Sequence, residues 1–298
     1  MDQTRLARWR VPFDGAFALA DTSTEPMPDV PGGKVPGKRK LRKARAAQTE
    51  RLRDLQQRLY AERRHSVLLV FQAMDAAGKD GTIRAVLSGV NPAGCVVHPF
   101  GPPSKEDLSH DFLWRTTRRL PAKGHIGVFN RSYYEEVLVV RVQPEYLEAQ
   151  RLPRGVPLDQ LWQQRFDSIR AHERHLAENG TTVIKFFLNV SRDEQCRRLL
   201  RRIDDPERNW KFNAGDLKVR ARWDEYMAAY QAALQETSRP WAPWYCIPAD
   251  NKDFMRLQVA NIVVQTIEAL NSQFPELPAD DHARLHEFRA ELTQGKPS

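Results

Sequence analysis

The sequence predicts an α/β fold, a central five-stranded parallel sheet flanked by helices, with a phosphate-binding loop after its first strand. Three observations carry this. Five short apolar runs alternate with segments of helical periodicity, the pattern of strands joined by helical crossovers. The stretch VLLVFQAMDAAGKDGT (67–82) reads as strand, small-residue loop and helix start, with Gly78-Lys79 inside the loop. The chain carries a net charge of +8 over 298 residues, a balance that draws anionic partners.

Residues 1 to about 37 are proline-rich (EPMPDVPGGKVPGK) and predict an extended arm, ordered where it packs on the body. Residues 38–298 then form one domain. KRKLRKAR (38–45) opens a helix that runs through Glu62, with Leu41, Leu52, Leu55, Leu59 and Tyr60 as its apolar stripe. Its basic run reads as a solvated helix face rather than a nucleic-acid patch. The first strand, Val67 to Phe71, delivers the loop, and Thr82 to Ser88 continues as helix. Cys95 to Pro99 is the second strand, and Lys105 to Leu120 predicts a helix bearing Asp111, Phe112, Trp114 and Arg115. Ile126 to Phe129 is the third strand, ending at Asn130-Arg131. Asp159 to Glu178 is helical, and Thr182 to Val190 is the strongest strand. Two helices follow, Arg192 to Ile203 and Asp216 to Gln235. Trp244 to Pro248 is the last strand and Phe254 to Leu270 the last long helix.

The loop departs from the pattern G-x-x-x-x-G-K-[ST] at both ends. Ala73 occupies the first glycine position, and Asp80 replaces the hydroxyl residue that usually ligates Mg²⁺. Asp75, inside the loop, is a carboxylate that can replace that hydroxyl. Ala76, Ala77, Gly78, Lys79, Asp80, Gly81 and Thr82 form the candidate phosphate cradle, through backbone N–H groups and the Lys79 ammonium.

Ligands of parallel sheets gather at the carboxyl ends of the strands. The third strand delivers FNRSYYEEV there, with Asn130 as a neutral oxygen donor, Arg131, and Glu135 and Glu136 within about one helical turn. Mg²⁺ takes hard oxygen ligands and keeps several waters, so Asp75 with Glu135 or Glu136 suffices to hold it. A second concentration of charge, about 192–222, places Arg198 and Arg202 on one helical face, with Arg208 and Lys211 beyond Pro206. It predicts an arginine-rich helical lid that neutralises phosphate charge and excludes water. Phe112 and Trp114 sit at core-like spacing. His98, His110 and His125 lack ligand spacing, and Ser132 has no recognisable base.

Hydrophobic residues make up 41% and charged residues 28%, ordinary for a globular protein. No run reaches the ~18 apolar residues of a membrane span. The N-terminus lacks a secretory apolar core, and Cys95, Cys196 and Cys246 have no paired spacing. These features point to the cytoplasm.

Five ordered segments resemble polyphosphate kinase family 2: MDAAGKDG (74–81), DFLWR (111–115), FNRSYYEEVLVVRV (129–142), EQCRRLLRRIDDPERNWKF (194–212) and APWYCIPADNKDF (242–254). The resemblance implies a thymidylate-kinase-like P-loop NTPase fold and divalent-metal-dependent phosphoryl transfer between inorganic polyphosphate and nucleotides. It implies that Asp75, Lys79, Arg131 and Glu135 are catalytic, and that Arg198, Arg202, Arg208 and Lys211 bind polyphosphate. Arg115, Asn130 and Arg131 would bind the nucleotide. Asp75, Asn130, Glu135 and Glu136 would hold Mg²⁺, or Mn²⁺ in its place. Asn130 stands where other members have aspartate, and Glu135 where others have asparagine. N-R-S-x-Y-E is similar to the class III subgroup, which implies that nucleoside mono- and diphosphates both serve, reversibly, with ATP regeneration as the outcome. A homo-oligomer, dimer or tetramer, is expected, with no membrane and no nucleic-acid partner. The competing readings are an ATP-dependent nucleotide kinase and a nucleic-acid-binding protein.

Overall fold

The computed structural model describes residues 7–28, 32–153 and 155–294. The arm and domain expected from the sequence include residues 1–6, 29–31, 154 and 295–298, which lie outside the described residues.

Five strands, β1 (Ser66–Gln72), β2 (Cys95–Pro99), β3 (Ile126–Asn130), β4 (Thr181–Asn189) and β5 (Trp244–Pro248), form one parallel sheet in the order β2-β3-β1-β4-β5. β1 sits at the centre because every one of its positions is buried, the signature of a strand covered on both faces. The register pairs Phe71 with Asn130 on one side and with Phe186 on the other, and Asn189 with Pro248. The carboxyl ends of β3, β1, β4 and β5 therefore form a common rim.

The longer helices around the sheet are α1 (Lys38–Glu62), α2 (Lys79–Val86), α3 (Leu158–Glu178), α4 (Arg192–Asp204), α5 (Ala214–Ala221), α6 (Trp223–Thr237) and α7 (Lys252–Ala269), with shorter turns between them and two helices, Ala279–Ala283 and Leu285–Gln294, after α7. α7 is apolar nearly all round, with Phe254, Met255, Val259, Ile262, Val263, Val264 and Ile267 buried, so it lies inside, between α1, α2 and β5. The arm closes the outer edge of β5. Val11 N–H donates to Trp244 O at 2.9 Å and Cys246 N–H to Trp9 O at 2.8 Å, which pairs the edge that would otherwise be open.

A charged knot sits inside this core. Lys185, fully buried on β4, donates to Glu173 Oε2 at 2.6 Å, Tyr134 Oη at 2.8 Å and Thr237 O at 2.8 Å. Tyr133 and Tyr134 hydroxyls each donate to Glu173 Oε1 at 2.9 Å. Every polar atom of the ion pair is thus partnered, the condition under which a buried charge is tolerated. The knot ties α3, β4 and α6 to the segment after β3.

Two elements differ from expectation. Residues 105–120 do not form one helix. Asp107–Ser109 is a single 3₁₀ turn and Trp114–Thr117 a separate helical turn. Asp111 breaks the pattern, because its side chain accepts from Leu113 N–H at 2.9 Å in a local turn that competes with helix. The loop helix begins at Lys79 rather than Thr82. Gly78 takes φ +110°, a backbone that side-chain-bearing residues rarely adopt, and this turns the chain into the helix.

Candidate active site

The loop after β1 and the first turn of α2 form the floor of the site. Ala76 holds φ +62°, a left-handed conformation that costs an alanine about 1 kcal/mol, and Gly78 follows in the same half of φ space. The first-turn N–H groups, those of Gly78 to Gly81, have no intrahelical partners, the arrangement that receives an anion at a helix start. Lys79 is buried and donates to Ala73 O at 2.6 Å. Burial lowers its pKa, the nearby Arg131 lowers it further, and Asp75, Glu135 and Asp80 hold it up.

Asn130-Arg131 crosses the rim beside this loop. Arg131 N–H donates to Phe71 O at 3.1 Å with φ +64°, which swings the side chain over the loop. Its guanidinium contacts Asp75 Oδ1 at 2.7 Å through Nη2 and Glu135 Oε2 at 3.5 Å through Nη1. Arg131 is held protonated far above the ordinary range, chiefly by Glu135. Burial raises the Glu135 pKa, and Arg131 and Lys79 oppose that rise. Asp75, Lys79, Arg131 and Glu135, four residues singled out from the sequence, therefore form one electrostatic group.

A cleft of about 920 Å³ opens over the loop. Its walls come from the loop, from Pro99 to Pro102 after β2, from α4 and residues 207–213, and from the start of α7. Asn130, Arg198, Arg202, Arg208 and Lys211 all line it, so the 192–222 segment faces the loop. Gln195 Nε2 donates to Asp75 O at 3.1 Å, fixing the loop from above.

Some candidates stand elsewhere. Glu136 is a correction: its carboxylate accepts from Arg165 at 3.1 Å and Gln150 at 2.7 Å, buried beneath Arg165 and away from the loop. The 3₁₀ turn Tyr133–Val137 sends adjacent side chains in different directions, so Glu135 and Glu136 part company. Thr82 is a second correction, since its backbone N–H is spent on Gly78 O at 3.0 Å, and its fully buried hydroxyl donates to the same carbonyl at 2.9 Å. Ala77 is also fully buried beneath the loop. Arg198 is a clamp: it donates to Glu194 Oε1 at 2.7 Å, Ala76 O at 3.3 Å and Ala249 O at 2.6 Å, and also to Ala77 O and Asp250 O. It binds the underside of the loop to the segment after β5. Arg115 stays outside the cleft, donating to Gly101 O at 2.8 Å at the rim. Asn130 donates to Asp80 Oδ1 at 2.7 Å, which leaves its carbonyl oxygen for other partners.

Sequence reasoning missed several cleft residues: Lys252 and Arg256, at the start of α7, and Arg84 and Arg201 line it. It also missed Asp216, on α5 behind the lining, which accepts from Arg202 at 2.8 Å and whose pKa is raised by burial and by Asp75. The signal for Lys252 and Arg256 was available: an i,i+4 cation pair directly beyond a strand's carboxyl end.

The donor set fits a hard divalent cation. Asp75 and Glu135 bring two carboxylates onto the same guanidinium, and Asp75 adds to the burial that disfavours the Glu135 charge. Among the described residues no three His, Cys, Asp or Glu side chains group to hold a metal. Two carboxylates with water and substrate oxygens match the habit of Mg²⁺.

Comparison with known proteins places this arrangement. The model of the family Polyphosphate kinase 2 (PPK2) matches residues 36–275. An ADP-polyphosphate phosphotransferase of Rhodopseudomonas palustris is 55% identical over 82% of this chain and 85% of its own. An AMP/ADP-polyphosphate phosphotransferase of Meiothermus ruber is 46% identical over 91% of this chain and 96% of its own. The crystal structure of polyphosphate kinase 2 from Arthrobacter aurescens superposes with a TM-score of 0.86 at 36% identity, covering 97% of this chain and 96% of that one.

Proposed function

The chain belongs to the polyphosphate kinase 2 family, and from that premise we propose how its cleft moves phosphate from inorganic polyphosphate to a nucleotide. The protein is a polyphosphate:nucleotide phosphotransferase. The observation that carries the mechanism is the Arg131 guanidinium spanning Asp75 and Glu135 beside Lys79, under a cation-lined cleft.

A terminal phosphate oxygen of the nucleotide attacks the end phosphorus of polyphosphate in line. A new P–O–P bond forms to the nucleotide as the chain's terminal P–O–P bond breaks, leaving the chain one unit shorter. Lys79 exchanges Ala73 O for phosphate oxygens, and the first-turn N–H groups of α2 receive the same anion. Arg131 stabilises charge on the transferring group, and no covalent enzyme intermediate is required. Asp75 and Glu135 would hold the divalent cation, Mg²⁺ or Mn²⁺, with the Asn130 side-chain oxygen as a further donor. The cation would neutralise phosphate charge. Arg202, Arg208 and Lys211 close over the chain as a lid while Arg198 keeps the loop in shape.

We extend the reading to both acceptors, AMP to ADP and ADP to ATP, reversibly, on the N-R-S-x-Y-E pattern with Glu135. Among the described residues no helix is long and apolar enough to cross a membrane; the reading is of a cytoplasmic, homo-oligomeric enzyme that regenerates ATP. Product profiling tests the acceptor range: polyphosphate with AMP alone, then with ADP alone, with and without Mg²⁺. ADP and ATP should both accumulate from AMP, and only with metal. Turnover of ADP but not AMP would restrict the enzyme to diphosphates.

A further inference from the structure

The cations at the start of α7 continue outward from the cleft. Arg256 lies against the first turn of α2: a Cβ added to Gly81 would stand 3.0 Å from Arg256 Nη2. One turn further along α2, Arg84 lines the same wall. Beside it, Arg45 of α1 donates to Ala85 O at 3.2 Å, and Arg42 pairs with Asp253 of α7 at 3.1 Å. Cleft and α1 are therefore joined through α2 and α7. Lys38, Arg42 and Arg45 fall at i, i+4 and i+7, on one face of α1. Lys34, Lys38, Arg39 and Lys40 line a shallow depression at the start of α1.

This ridge is short of counter-charge. Among the described residues, Arg84, Arg201, Lys252 and Arg256 make no side-chain hydrogen bond or ion pair, and Arg256 Nε is buried without a partner. Two carboxylates act on them, and both are taken: Asp253 by Arg42, and Glu194 by Arg197 and Arg198. Burial lowers the Arg256 pKa, and Arg45, Arg84 and Arg42 lower it further, although Asp253 opposes them. Like charges held this close without partners are stabilised by a polyanion laid across them. Among the described residues, the lining of that depression includes no aromatic side chain for bases to stack on, which favours a bare phosphate chain over single-stranded nucleic acid.

We propose that the basic run opening α1 is a distal binding site for long polyphosphate, reached from the cleft between Arg84 and Arg256, which makes the enzyme select donors by chain length. The proposal rests on the polyphosphate reading above. Its site is the run KRKLRKAR, which the chemistry of transfer leaves unused.

The test is a charge-neutralised α1, Lys38→Gln/Arg39→Gln/Arg42→Gln, assayed with ADP and two donors. All three residues are exposed; Arg42 gives up one ion pair, with the half-buried Asp253, so circular dichroism accompanies the assay to show that the fold is retained. With polyphosphate of about a hundred units, KM should rise about tenfold and become less sensitive to salt, as expected when about three cation contacts disappear. With tripolyphosphate, KM and kcat should stay unchanged, and Lys38→Arg/Arg39→Lys/Arg42→Lys should restore the long-chain KM. Equal effects on both donors, or none on either, would overturn the proposal. So would a variant that loses affinity for a single-stranded oligonucleotide while its long-chain KM is unchanged. A wild-type protein that transfers phosphate from neither donor would refute the activity itself, a different result from normal turnover without length dependence.

Discussion

Arg131 Nη2 donates to Asp75 Oδ1 at 2.7 Å across the rim of the sheet, joining the turn after β3 to the loop after β1. The same guanidinium reaches Glu135, so one planar cation organises two carboxylates. The geometry needs a fork with two donating arms, and a lysine cannot supply it. Arg131→Lys should lower kcat about 10²- to 10³-fold, the usual loss on removing an oriented charge-stabilising donor, with KM for ADP little changed. Steady-state kinetics with a circular-dichroism check on folding measure this. Near-normal kcat in the lysine variant would show that a point charge is enough.

Glu135 and Glu136 are neighbours in sequence with different surroundings, and a paired experiment separates them. Glu135→Gln should raise the Mg²⁺ concentration for half-maximal activity about tenfold, since a first ligand is weakened. Glu136→Gln should leave that concentration unchanged and lower stability instead, because buried Arg165 loses its carboxylate. A metal requirement that shifts with Glu136 would mean the two assignments are reversed.

Lys252 has its pKa lowered to about 8, first by burial and then by Arg198, Arg201 and Arg256. Polyphosphate favours the charged form, so its arrival raises this pKa and takes up protons near pH 8. The free enzyme loses this charge as pH climbs through 8, so KM for polyphosphate should increase between about pH 7 and 9. Lys252→Arg should flatten the profile, since arginine keeps its charge. Titration calorimetry in buffers of different ionisation enthalpy reads the proton uptake directly, and zero uptake at pH 8 would contradict the assignment.

The knot around Lys185 predicts a stability effect separable from chemistry. Lys185→Met strands Glu173 in the core and should cost about 3–5 kcal/mol in urea unfolding. Adding Glu173→Leu removes the stranded charge and should recover part of that loss. A double variant no more stable than the single would show that the network's hydroxyls matter more than the ion pair.

What was legible in the sequence follows from locality. The five strands show as apolar runs bounded by turns, and the loop by its Gly78-Lys79 spacing, because each depends on neighbours in the chain. Asp75, Lys79, Arg131 and Glu135 follow from the rule that strand ends carry the chemistry. The fate of Arg198 was hidden, since carbonyls of Ala76, Ala77, Ala249 and Asp250, all remote in sequence, decide it. Glu136 was hidden for a similar reason: Gln150 and Arg165 arrive from the next two segments of chain. The broken helix at 105–120 was overlooked because an aspartate that turns the chain locally resembles any polar residue on a helix face.

Donor choice tests the central claim most directly. Purified protein is mixed with ADP, Mg²⁺ and polyphosphate in the absence of ATP, and nucleotides are resolved by chromatography; a parallel reaction supplies ATP and AMP without polyphosphate. The account predicts ATP formed at the expense of the chain in the first reaction, abolished by Lys79→Ala, and far slower ADP formation in the second. No ATP from polyphosphate, with brisk transfer from ATP to AMP, would contradict it.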